Sequence, residues 1–463
     1  MHSKSCLHTR KEGLRVIEER CAVIKTDVPG KKSRALLKKR EKYVAFGVGC
    51  NIDIFIEEAK GALIKDMDGN VFIDFAAGIG VQNIGHCNDE VVNAINKQLD
   101  KYIHPCFHVI MYEPYIALAE KLAELTKGTF KRKVMFANSG AEAVENAIKI
   151  ARRYTNKPGI ISLECAFHGR TYMAMTITSK VKPYKFGFGP FSTDTYKIPT
   201  AYCYRCPLGC EYPHCGIACV EKLRSLLKSE MIPEMIGALI VEPVQGEGGF
   251  IVQPPEYLKA LESICRENDI VLIVDEIQSG FARTGKMFAY QHFELEPDII
   301  TMAKSIAAGI PLSAVVGKAE IMDAPSPGQI GGTYGGSPLG CVAGLKVIEV
   351  IQKEDLIEKA NNLGRIIKNR LLEMKEKYDC IGDVRGLGAM LGVEFVKDRK
   401  TKEPYAELVK DVINYAYKRG VIFLSAGIFN NVIRFLPPLV MTEEQANYGM
   451  DVLEEALEAY NLR

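Results

Sequence analysis

Ile270-Val271-Leu272-Ile273-Val274-Asp275-Glu276, taken with Thr301-Met302-Ala303-Lys304-Ser305, decides how this chain folds. The first stretch is a run of five apolar, mostly β-branched residues ending in a carboxylate. The second is a shorter apolar run ending in a lysine. Uninterrupted apolar runs of this length suit strands buried on both faces of a parallel sheet. Ligands of open α/β sheets bind beyond the carboxyl ends of such strands. An Asp and a Lys are therefore expected to meet at one edge of one sheet.

The same pattern extends outward in both directions. Apolar runs at 134–136, 160–163, 238–241, 299–303 and 313–317 read as further strands. Asn138-Ser139-Gly140 turns the first of them into a helix with Val144, Ala147, Ile148, Ala151 and Tyr154 on one face. Residues 255–268 read as the crossover helix into the Ile270 strand. Strands alternating with helices predict a mainly parallel sheet. Upstream, 55–75 reads as a hairpin turned at Asp68-Gly69-Asn70, followed by the glycine-rich Ala77-Gly78-Ile79-Gly80-Val81 and by helices at 90–99 and 113–125. Beyond about residue 340 the pattern changes to long amphipathic helices, clearest at 356–378 and 406–419, with short strands at 421–424 and 432–435. The expected division is an N-terminal segment, 1–90, belonging to a small domain; a large domain, 91–340; and a C-terminal small domain, 341–463.

Composition narrows the function classes. The chain has 463 residues, 47% apolar and 25% charged, which supports a sizeable core. A formal charge of +2 leaves no nucleic-acid footprint. The basic run from Lys31 to Arg40 reads as a solvated helix face. No apolar run reaches membrane-spanning length. Residues 1–20 lack the apolar core of an export signal, so a cytoplasmic location is expected. Fourteen cysteines would then be mostly reduced. Five of them, Cys203, Cys206, Cys210, Cys215 and Cys219, crowd one loop, where their type suits zinc or an iron–sulfur cluster as well as free or disulfide-linked thiols.

Ser139, Phe167, Glu242, Asp275 and Lys304 stand at or just past the C-terminal ends of five of these strands, so one site gathers residues far apart in sequence. The small-residue turn Ser139-Gly140-Ala141 opens a helix whose free N–H groups suit a phosphate. Lys304 is set among small and apolar neighbours, and burial would make its neutral amine a nucleophile and base. An ionised Asp275 would keep a pyridine nitrogen protonated. A lysine that forms a Schiff base, an acid for a pyridinium and a phosphate cradle together point to pyridoxal 5'-phosphate. Arg170 and Arg434 are candidates for carboxylate recognition, since a guanidinium matches a carboxylate bidentately. Glu242 or Glu247 would serve a half-buried Arg434 between substrates.

Two other motifs fail. Gly280-x4-Gly285-Lys286 nearly makes a phosphate-binding loop, but Met287 offers no hydroxyl for Mg²⁺, and the acidic strand precedes the loop instead of following it. Gly386-Leu387-Gly388 misses the last glycine of a dinucleotide fingerprint. A scaffold role resting on the cysteine loop would leave Lys304 and Asp275 unexplained.

The chain resembles the class III aminotransferases of the fold-type-I pyridoxal-phosphate enzymes, most of all bacterial members acting on 4-aminobutyrate. The likeness runs from about residue 55 to the end. It is carried by His104-Pro105-Cys106-Phe107, Asn138-Ser139-Gly140-Ala141-Glu142, Phe167-His168-Gly169-Arg170, Glu242-Pro243-Val244-Gln245-Gly246-Glu247, Asp275-Glu276-Ile277-Gln278-Ser279-Gly280, Ala303-Lys304-Ser305, Gly331-Gly332-Thr333-Tyr334, Gly382-Asp383-Val384-Arg385-Gly386 and Asn431-Val432-Ile433-Arg434. It implies a large domain with a mainly parallel seven-stranded sheet, and a smaller α+β domain built from N- and C-terminal segments. It implies that Lys304 holds the cofactor and shuttles a proton, Asp275 pairs with the ring nitrogen, Gln278 bonds the ring oxygen and Phe167 stacks on the ring. His168 belongs to the same cofactor site. Ser139, Gly140 and Ala141 take the phosphate, and Thr333 reaches the phosphate of the other subunit's cofactor in a homodimer or larger assembly. Arg170 is matched to the substrate's distal carboxylate, Arg434 to an α-carboxylate with Glu247 as its switchable partner, and Glu242 and Ile79 to the substrate pocket.

The resemblance has departures. Phe167 replaces a frequent Tyr, Ala308 stands where relatives often have Gly, and the cysteine loop is unusual. The expected activity is transfer of the amino group of 4-aminobutyrate to 2-oxoglutarate, giving succinate semialdehyde and glutamate. An ornithine or other ω-amino acid aminotransferase, or an amino-acid racemase of the same family, is the alternative.

Overall fold

A computed structural model describes residues 17, 20–126 and 128–460. Of the N-terminal stretch read for an export signal, all but Ile17 and Arg20 lie outside the described residues.

Seven strands form the central sheet: β1 (Arg132–Ala137), β2 (Gly159–Leu163), β3 (Thr195–Ile198), β4 (Ile236–Val241), β5 (Val271–Asp275), β6 (Ile299–Met302) and β7 (Ser313–Lys318). Their spatial order is β1-β7-β6-β5-β4-β2-β3. All neighbours are parallel except at β7, which runs antiparallel to both β6 and β1. The apolar runs are continuous because both sheet faces are covered. Ile160, Ala238, Ile240, Val271, Ile273 and Ile299 bury one face against helix α1 (Gly140–Thr155). Alternate residues Ile161, Leu239, Val241, Leu272, Val274 and Ile300 enter the larger core, shared with helix α2 (Pro255–Glu267) and the C-terminal helices. A side-chain period of two sends neighbouring residues of one strand into different cores.

The other sheets join the ends of the chain. Strands Ile56–Lys60, Leu63–Asp66 and Val71–Asp74 form an antiparallel meander that includes the expected hairpin, and Val421–Ile422 adds to it in parallel. Strands Ile381–Leu387, Met390–Phe395, Val432–Phe435 and Leu424–Ala426 form a second four-stranded sheet. The strand expected at 421–424 is therefore two strands in two different sheets. One further expectation needs correcting: Tyr154 is exposed at 44%, unlike the rest of the α1 face. Strand β3 is an addition to the expected set. Helix Lys31–Tyr43 exposes most of its residues, as a solvated basic face would.

The near-miss phosphate loop has a packing role. Gly285 adopts φ +81°, a Cβ there would lie 1.9 Å from Asn361 Oδ1, and Asn361 donates to the Gly285 carbonyl. Arg283 is fully buried and donates to the Pro437 carbonyl at 2.6 Å and to Asn83. That single guanidinium ties the turn after β5 to segments from both ends of the chain. Among the described residues, no helix is long and apolar enough to cross a membrane.

Candidate active site

A pocket opens at the carboxyl edge of the central sheet, lined among others by Ser139, Phe167, Glu242, Asp275 and Lys304. The five strand-end residues singled out in the sequence thus converge. Gly140, Ala141, His168, Arg170, Glu247 and Gln278 line it as well.

One end suits an anion. Ser139 caps α1, its Oγ accepting from Glu142 N while the Glu142 carboxylate accepts from Ser139 N. The cap uses up the third helical amide and leaves the first two, those of Gly140 and Ala141, at the positive end of the helix dipole. A Cβ on Gly140 would approach Ile277 Cδ1 to 2.9 Å, so glycine keeps this cradle open.

The middle holds charge away from water. Asp275 is 4% exposed at the end of β5. Its Oδ2 lies 2.7 Å from His168 Nδ1, and its Oδ1 accepts from Ile277 N at 3.1 Å. His168 is itself fixed by a bond from its backbone N–H to Thr178 Oγ1, while its buried Nε2 has no partner. A carboxylate anchored on both oxygens and aimed into a pocket can pair with a protonated ring nitrogen. Gln278 packs its amide against Gly246, where a Cβ would fall 2.0 Å from Gln278 Oε1, and that oxygen is buried without a partner. Glu242 receives N–H groups from Phe167 and Gly246, and burial, reinforced by nearby Asp275, pushes its carboxyl up to about 7.

Lys304 begins a single 3₁₀ turn directly after β6 with φ +49°. Burial lowers its ammonium pKa below the ordinary lysine value, and Arg434 lowers it further. More of the amine is then neutral and able to act as nucleophile or base.

Two arginines differ sharply in their setting. Arg170 is exposed on the pocket wall and has no hydrogen bond or ion pair among the described residues. Arg434, 5% exposed, lies behind Glu247, to which its Nη1 is hydrogen-bonded, and its Nε is buried without a partner. Glu247 lines the pocket and Arg434 does not. Burial would raise the Glu247 carboxyl, but Arg434 outweighs that effect and holds it below the ordinary glutamate value.

Two assigned residues stand apart from this pocket. Ile79 is 40% exposed in a left-handed conformation, φ +65°, between Gly78 and Gly80; Val81, two residues on, lines the pocket instead. Thr333 lies on an exposed loop. The five loop cysteines line a separate small pocket. Every described cysteine is a free thiol, and among the described residues no group of three or more His, Cys, Asp or Glu is arranged to hold a metal. Sequence reasoning missed Tyr184, which bonds Glu247, and Lys180, whose charge feels it, both from a loop rich in Gly, Pro and Phe that has no periodic signal.

Sheet order, a lysine just past β6, an anchored aspartate at the end of β5 and free amides at a helix N-terminus define a fold-type-I enzyme that uses pyridoxal phosphate. The family description "Aminotransferase class-III" matches residues 45–457. The chain is 46% identical to a probable 4-aminobutyrate aminotransferase of Bacillus subtilis, covering 91% of this chain and 97% of that protein. It is 42% identical to a 5-aminovalerate aminotransferase of Pseudomonas aeruginosa, covering 92% and 99%. A crystallised Bacillus anthracis aminotransferase superposes with a TM-score of 0.86 at 32% identity, covering 93% and 99%. The chain belongs to the class III aminotransferases.

Proposed function

We propose that this enzyme moves the amino group of an ω-amino acid, 4-aminobutyrate above others, to 2-oxoglutarate in two half-reactions at one pocket. The observation that carries this reading is the asymmetry of the arginines: Arg170 is free on the wall, and Arg434 is screened by Glu247. A donor with a single, distal carboxylate finds one available guanidinium. A dicarboxylate acceptor needs two, and gains the second when Glu247 gives up Arg434. The relatives named for 4-aminobutyrate and 5-aminovalerate fit the same logic. Ornithine ends in an amine and gains nothing from a cation at Arg170.

The cofactor, when bound, supplies an electron sink for negative charge at the substrate carbon. The residues fit it. In this reading Ser139 and the Gly140 and Ala141 amides hold its phosphate, Phe167 flanks the ring, and Gln278 faces the ring oxygen. Asp275, oriented by His168, keeps the ring nitrogen protonated. Lys304 would hold the cofactor and then carry the proton from the amino-bearing carbon of the substrate to the cofactor. Glu242 borders the substrate. Thr333 serves the cofactor phosphate of a partner subunit, which makes the working form a homodimer or larger. Free thiols throughout the described chain suit a cytoplasmic enzyme.

The test is a panel of amino donors offered to the purified holoenzyme, following formation of the aminated cofactor by absorbance and checking recovered amino acids for racemisation. 4-Aminobutyrate and 5-aminovalerate should react, and 2-oxoglutarate should restore the starting spectrum. Turnover of ornithine alone, or interconversion of enantiomers without amino transfer, would overturn the substrate assignment.

A further inference from the structure

The exchange at Arg434 leaves a question of charge. Glu247 must leave its arginine, and a carboxylate kept from water is costly unless another partner receives it. The loop at 180–188 supplies one. Tyr184 Oη donates to Glu247 Oε2 at 3.0 Å, while Arg434 holds Oε1. The two bonds use different oxygens, so the arginine can be lost while the phenol stays. From the same loop, Lys180 lies within electrostatic reach of both Glu247, which attracts it, and Arg434, which opposes it.

The surroundings keep these groups in register. Lys180 Nζ donates to the Gly427 carbonyl at 2.9 Å and to Asn430 Oδ1 at 2.6 Å. Gly427 N donates to the Glu247 carbonyl at 3.0 Å. The backbone of Glu247 is thus tied to the loop that Lys180 grips, independently of the two bonds its carboxylate makes. The Tyr184 ring meets Phe167 at 4.9 Å between centroids, inclined at 58°. Burial and the nearby Glu247 charge push the Tyr184 phenol up to about 12, so it stays a donor at any working pH.

We propose that Tyr184 is a positioning residue that retains the Glu247 carboxylate when a dicarboxylate substrate takes Arg434, with Lys180 as the adjacent counter-charge. This rests on the two-arginine reading above. Before the exchange Glu247 has both Arg434 and Tyr184; after it, the phenol is its remaining direct hydrogen bond. Removing the hydroxyl therefore weakens the dicarboxylate-bound state more than the state that binds a donor with one carboxylate. A ring that merely supported Phe167 would affect both states alike.

The experiment compares wild type, Tyr184→Phe and Lys180→Met as full-length holoenzymes in single-turnover half-reactions, one with 4-aminobutyrate and one with glutamate. Tyr184→Phe keeps the ring contact with Phe167, and Lys180→Met tests the same idea independently. The expected result for Tyr184→Phe is a roughly tenfold larger rise in the apparent dissociation constant of glutamate than in that of 4-aminobutyrate, the scale of one hydrogen bond to a charged group. Lys180→Met should shift the ratio in the same direction by less. If wild type reacts with both substrates and Tyr184→Phe moves both constants equally or neither, the retention role is wrong and the two-arginine reading survives. If wild type reacts with neither substrate, both fall together.

Discussion

His168 Nδ1 and Asp275 Oδ2 meet at 2.7 Å, joining residues that are 107 positions apart, one from the loop after β2 and one from the end of β5. The imidazole is nearly inaccessible and pinned through its own backbone by Thr178, so it fixes which way the carboxylate faces. His168→Gln should lower kcat by about 10- to 100-fold, the scale of one hydrogen bond to a charged group. Asp275→Asn removes the charge itself and should cost about a thousandfold, like other preorganised electrostatic groups. Steady-state rates and the absorbance of bound cofactor check both. Equal losses for the two variants would show that His168 does more than orient the aspartate.

Arg170 gives a prediction about the donor alone. It stands on the pocket wall without a partner among the described residues, so removing it breaks no ion pair in the folded protein. Arg170→Ala should raise KM for 4-aminobutyrate about tenfold or more, the lower range for a charge-assisted bond. The KM for an amino donor with no distal carboxylate should stay within about twofold on the same reasoning. Comparing kcat/KM for the two donors checks it. Equal losses would remove the role assigned to Arg170.

Ala308 follows the 3₁₀ turn of Lys304 in a left-handed conformation, φ +48° and ψ +39°. A side chain with Cβ is strained there and glycine is not. Ala308→Gly should therefore raise stability by about 1 kcal/mol, less the small entropic cost of a freer unfolded chain. Denaturant midpoints check it. The next residue, Gly309, sits at φ +102°, where a side chain with Cβ is strained, so the reverse change there should lower stability.

What the sequence revealed follows from how much of the chemistry is local. Strands β2, β4, β5 and β6 were legible because burial on both faces makes an apolar run continuous. Strand β3 was not, because it is an edge strand whose Tyr196 and Lys197 are only partly covered, so no such run forms. Residues 421–424 look like one strand in sequence, yet Phe423 separates two short strands that serve different sheets. At the site, strand ends pointed to Asp275, Lys304 and Glu242 because sheet topology gathers such ends. The Tyr184 contact was illegible, since an aperiodic loop carries no signal of where one phenol will land.

Glu276, next to Asp275, offers a test of burial outside the pocket. It is fully inaccessible and accepts from Ser279 Oγ at 2.6 Å and from Tyr290 N at 2.7 Å. Burial nevertheless dominates, and the Asp275 charge adds to it, pushing the carboxyl up to about 7. Between the ordinary glutamate value and about 7 the unfolded chain has lost this proton and the folded chain still holds it. The folded state binds more protons in that window, so this residue's contribution to stability falls as pH rises through it and levels off above. Glu276→Gln cannot titrate, so its stability relative to wild type should climb across the same window and then become constant. Urea midpoints at a series of pH values check the slope. A difference between the two proteins that is independent of pH would mean that Glu276 ionises freely in the folded chain.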